Sequence, residues 1–132
     1  MKKVLKLTNE QAQSLYSILS GLKLDSIKNR TRWKFLDVIE PSILSYEKEG
    51  QELRDSFRRL DSKSEEYPAL LKEINKKGSD LSTAYTEYSF SDREVFGQAK
   101  GFFELAGVDL EGRKSKMYKE IEDAFLDVKE LE

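Results

Sequence analysis

Apolar residues recur through the middle of this chain with the alternating step of a helix that packs along one edge. Leu36, Ile39, Ile43, Tyr46, Gly50, Leu53, Phe57 and Leu60 follow at intervals of 3, 4, 3, 4, 3, 4 and 3. These are four successive pairs of a and d positions. A helix over them is roughly 37 Å long, and its apolar edge must be covered by another helix. Pro41 leaves two outcomes, a kinked continuous helix or a break at Glu40 with the proline opening a new one. The phase favours continuity, because Leu36 and Ile39 stay in register with Ile43 across it. Gly50 lies in the seam, either as a tolerated glycine or as a point where a ring such as Tyr85 or Tyr88 fills the missing Cβ.

The flanking segments are shorter. Val4, Leu5 and Leu7 among lysines suggest the period of a short edge strand. Thr8 and Gln11 form a capping box for a first helix bearing Ala12, Leu15, Tyr16, Ile18 and Leu19, with Gly21 as a left-handed C′ residue. Asp25 or Ser26 caps the long helix. After a turn at 61–64, a third helical spacing starts near Tyr67 with Pro68 in its first turn. It runs on past Gly78, either stopping there or continuing to about Tyr88. The Ser/Thr/Tyr content of residues 82–86 also suits a strand. Phe90 reads as a loop, Ser91 and Glu94 as a second capping box, and Gly107 as the end of the helix they begin. Val108–Leu110 then connects to a final helix carrying Ile121, Ala124, Phe125 and Val128.

These elements predict a mainly all-α single domain over residues 1–132. Its organising unit is an elongated antiparallel helical hairpin over 27–88, with the N- and C-terminal helices packed at one end. Of the residues, 38% are hydrophobic and 36% charged, which suits thin helical packing. Seven Phe, six Tyr and one Trp are too many aromatics for a disordered chain.

Composition narrows the chemistry. The chain contains no Cys and no His, which excludes disulfides, thiolate chemistry and a nucleophile–His–acid triad. Neither a leader segment nor a membrane span is expected, which predicts an intracellular protein. A net charge of −2 conceals a net +4 between Leu22 and Phe35 and a net −4 from Tyr118 to Glu132. No constellation reaches the level of a catalytic, cofactor or metal site. Glu120, Asp123 and Asp127 share a helix face, but a solvated acidic surface is the expectation there. Gly97 and Gly101 form a GxxxG pair expected to let another helix approach.

Candidate interaction residues fall in two groups. Lys28, Arg30, Arg32, Trp33 and Lys34 form a basic segment that is a solvated helix with Trp33 buried, a protein contact, or a nucleic-acid contact with Trp33 stacking on a base. Arg54 and Arg58 flank the seam, where charges commonly steer helix partners.

The Lys/Leu-rich start leading into Asn9-Glu10, the Arg30-Thr31-Arg32 step with Phe35 three residues on, and the Tyr46-Glu47-Lys48-Glu49 run into Glu52-Leu53 resemble a family of small proteins of unknown function. Tailed phages and prophages of Gram-positive bacteria encode that family, and the likeness is strongest from residue 4 to residue 60. The resemblance implies a phage-encoded accessory protein without enzyme activity, acting in the host cell cytoplasm or with the virion. Its expected partner is a second copy, as a dimer, or another phage or host protein. Nucleic acid through Lys28–Lys34 is the alternative.

Overall fold

The computed structural model describes residues 2–107 and 113–131, in the order β1 (Lys2–Thr8), α1 (Asn9–Ser20), α2 (Ser26–Arg58), α3 (Tyr67–Thr83), β2 (Tyr85–Phe90), α4 (Arg93–Ala106), α5 (Arg113–Leu126) and β3 (Lys129–Leu131). The expectation of a hairpin-dominated all-α fold fails. Five helices pack with a three-stranded antiparallel sheet of order β2-β1-β3. The N-terminal strand is central rather than an edge. Leu5 faces Tyr88 and Lys3 faces Phe90 on one side, while Lys3 also faces Glu130 on the other. Leu5, Leu7, Tyr88 and Phe90 are buried.

That sheet explains where the hairpin prediction went wrong. Residues 82–88 satisfy a helical spacing and a strand composition equally well. Pairing with β1 buries Tyr88 and Phe90, so the strand wins and α3 stops at Thr83. Phe90 is accordingly core rather than loop. The first half of the α2 seam is not covered by α3 either. Leu36, Ile39 and Ile43 are buried in a core shared with Leu15 and Leu19 of α1 and Phe102 and Phe103 of α4.

Helix α2 runs unbroken through Pro41. Pro41 and Asp37, whose carbonyl loses its usual partner there, both lie on the exposed side, where water can satisfy the free group. The Thr8 capping box forms as expected. Thr8 Oγ1 accepts from the Gln11 N–H at 3.1 Å, and Gln11 Oε1 accepts from the Thr8 N–H at 3.0 Å. Asp25 caps α2, accepting from the Lys28 N–H at 2.9 Å. Two caps differ from expectation. Gly21 sits at φ −82°, in the right-handed region. Asp92, not Ser91, caps α4 by accepting from the N–H groups of Glu94 and Val95.

The core is rich in rings. Phe96 packs against Phe35, Phe90 and Phe125, and Phe103 stacks on Tyr118 with centroids 4.1 Å apart. Tyr118 also donates to the Phe103 carbonyl at 2.8 Å. Its hydroxyl pKa is raised, by burial first and then by Glu122 and Glu104. The predicted Val108–Leu110 connection lies outside the described residues.

Candidate functional site

From Leu44 to Glu87 no residue is buried. The distal half of α2 and the whole of α3 therefore form a two-helix arm that stands off the core. Its base is tied by Tyr46 Oη and Ser82 Oγ, 3.0 Å apart, and by Asn9 Nδ2 donating to the Leu81 carbonyl at 2.8 Å. Beyond that base the seam is only half covered. Leu53 and Ile74 are half-buried and Phe57 is 49% exposed. No ring approaches Gly50; a Cβ there would meet Arg54 Nη1 at 3.6 Å. Tyr85 and Tyr88 belong to the sheet instead.

Two open grooves flank the outer edge of α2. The arm groove, of about 770 Å³, lies between α2 and α3 and is lined by Tyr46, Gly50, Leu53, Phe57, Ile74 and Gly78. The second, of about 940 Å³, lies between α1, α2 and the end of α4, lined by Tyr16, Ile18, Leu22, Leu44, Leu105 and Met117. Glu47 and Gln13 line both, so the two grooves meet along one edge. Charged lining in the second groove is acidic, from Glu40 and Glu47. The Tyr16 hydroxyl registers this field. Its pKa is raised by burial first, and then by Glu40, Asp37 and Glu47.

The basic segment is divided by the fold. Lys28, Arg30 and Lys34 are exposed and Trp33 is half-buried, with Tyr16 edge-on at 6.2 Å. Arg32 is turned inward and is only 7% exposed. It donates to the Leu19 carbonyl at 3.1 Å, to the Leu22 carbonyl and to Asn29 Oδ1. It thus closes the C-terminal end of α1, where free carbonyls concentrate negative charge. Its Nε finds no partner among the described residues. Arg54 and Arg58 are exposed on the arm. They stand roughly 33 and 39 Å along α2 from Arg32 at 1.5 Å per residue, so the two groups do not form one surface.

Other candidates resolve plainly. A Cβ on Gly97 or Gly101 would meet nothing within 4 Å, so no described helix uses the GxxxG pair. Glu120, Asp123 and Asp127 are exposed and line a shallow groove with Lys6 and Lys129. Among the described residues no group of three or more acids, His or Cys could hold a metal ion. No described helix is long and apolar enough to cross a membrane.

Leu44 escaped the seam analysis because it lies outside the dominant stripe. It belongs to a second stripe of Glu40, Leu44, Glu47, Gln51, Arg54 and Arg58, at intervals of 4, 3, 4, 3 and 4. That spacing was readable in the chain, but five of its six members are polar and resemble an ordinary wet face. Set against family models, curated proteins and solved structures, the chain matches none.

Proposed function

We propose that this chain is a non-enzymatic, phage-encoded helical protein that acts in the host cell cytoplasm by binding another protein, a host or virion component. The observation that carries the reading is the arm. It holds apolar side chains such as Phe57 and Leu70, 49% and 39% exposed, on a two-helix unit with no buried residue. Apolar surface left in water costs about 25 cal/mol per Å², and covering it favours association.

The test is affinity capture from phage-infected Gram-positive cells, with the intact chain and a Leu70→Asp form as parallel baits. Leu70 is exposed, so the substitution leaves the fold intact. A protein retained by the first bait and lost by the second supports the reading; equal recovery on both baits, or none on either, rejects it. Nucleic-acid binding is the second reading, favoured by the exposure of Lys28, Arg30 and Lys34. It requires binding that weakens with salt and with Arg30→Glu.

A further inference from the structure

We propose that two copies of this chain pair antiparallel along the outer edge of α2, about a two-fold axis between Gly50 and Gln51, each arm lying in the other copy's apolar groove. The inference rests on the protein-binding reading above and names one partner.

The charge pattern selects the occupant. Along the edge, Glu40 and Glu47 precede Gly50, whereas Arg54 and Arg58 follow Gln51. A uniformly charged ligand, whether nucleic acid or a polybasic helix, would meet like charge over half this length. A parallel twin would set acid on acid and base on base. An antiparallel twin sets each half against its opposite. Two acids lie in the basic half: Asp55 is already engaged by Gln51 Nε2 at 2.9 Å and by Arg58 at 3.9 Å, and Glu52 lies off the edge stripe.

The positions match in detail. Glu47 lies three residues before Gly50 and Arg54 three after Gln51, so a two-fold axis between them creates the Glu47–Arg54 pair twice. Leu44 lies six before Gly50 and Phe57 six after Gln51. These are exposed apolar residues of α2, at 57% and 49%. Pairing brings the Phe57 ring of one copy to Leu44 of the other, at the mouth of the larger groove. Gly50 lets the backbones come close at the centre, since it carries no side chain and the nearest atom to a Cβ is Arg54 Nη1 at 3.6 Å, on a guanidinium that donates to Gln51 Oε1 at 2.9 Å. The interface is isologous and closed, as two-fold dimers are.

Sedimentation velocity on the full chain at micromolar concentration tests this. The wild type is expected as a dimer that weakens as salt rises. Glu47→Arg or Arg54→Glu alone should each weaken pairing by about tenfold or more, because each puts two like-charge contacts into the interface. The double reversal should restore it to within about threefold of wild type. A second variant, Phe57→Asp, should give monomer with an unchanged far-UV spectrum, since the residue is not part of the core. A monomeric wild type, or a dimer in which the double reversal restores nothing, overturns the inference. Capture through Leu70 would survive that outcome, and a charge-dependent dimer that captures no other protein would reject the wider reading alone.

Discussion

Phe35 and Phe90 stack face to face, with ring centroids 4.6 Å apart and planes 6° from parallel. One ring comes from the proximal half of α2 and the other from the last residue of β2, with the whole arm between them in sequence. The stack therefore joins the proximal half of α2 to the far end of β2 within the core, and the arm adds nothing buried of its own.

Truncating this contact should be costly. Phe35 is fully buried, and Phe35→Ala is expected to lower stability by about 3–5 kcal/mol through lost transfer energy and the cavity left behind. Phe57→Ala, on the arm, should cost under about 1 kcal/mol in the monomer. Urea titrations followed by fluorescence compare them; similar losses at both sites would contradict the division into core and arm.

Arg32 should behave as a structural residue and Arg30 as a surface one. Arg32→Ala leaves the Leu22 carbonyl without its donor and removes the charged donor to the Leu19 carbonyl, which keeps the Leu22 N–H, at an expected cost of about 1–3 kcal/mol. Arg30→Ala should fall within about 0.5 kcal/mol of wild type. Amide exchange at the end of α1 should accelerate in the first variant and not the second.

Gly107 and Gly97 should respond to alanine with opposite signs. A Cβ on Gly107 would sit 2.3 Å from Cζ of Tyr118, whose ring is pinned by Phe103. Overpacking there should cost about 1–3 kcal/mol. Gly97 is in mid-helix with open space around it, so Gly97→Ala should stabilise by about 0.5–1 kcal/mol. Thermal midpoints that move in the same direction would contradict the packing described.

The third strand should loosen in acid. The Glu130 carboxyl pKa lies below the usual glutamate value, lowered first by the hydrogen bond from Lys3, next by the Lys3 charge, and then by Arg93. A carboxylate whose folded pKa is depressed stabilises the fold above the ordinary range. That contribution fades as pH falls through the lowered value. Carboxyl chemical shifts should show Glu130 titrating below the ordinary glutamate value, and Lys3→Ala should raise its midpoint. A midpoint that ignores Lys3 would remove the pair from the account.

Much of the helical layout was legible because it is local. The Thr8 capping box, the Asp25 cap, Pro68 in the first turn of α3 and the phase across Pro41 all rest on contacts within a few residues. What failed was non-local. Nothing near residue 85 says that a strand eighty residues earlier will accept its hydrogen bonds, so the chain to about Tyr88 reads as helix or as strand, and Phe90 as loop. Arg32 was misplaced for the same reason, because its role is set by carbonyls at Leu19 and Leu22, outside its own helix. The seam runs along one rod from Leu36 to Phe57, and α2 ends at Arg58, which leaves the expected last position, Leu60, outside it. Its covering was not legible, since α1 and α4 bury the first half and α3 only shields the second.

The position of β1 in the middle of the sheet governs the order in which the chain can become native. Made before both of its neighbours, Lys2–Thr8 has nothing to bond until the arm has been made and Tyr85–Phe90 follows, and its other flank waits for Lys129–Leu131. Closing those separations is slow relative to forming the helices between them. The helical turns between them can form early, while an apolar strand stays open to wrong pairings until Lys129–Leu131 has been made.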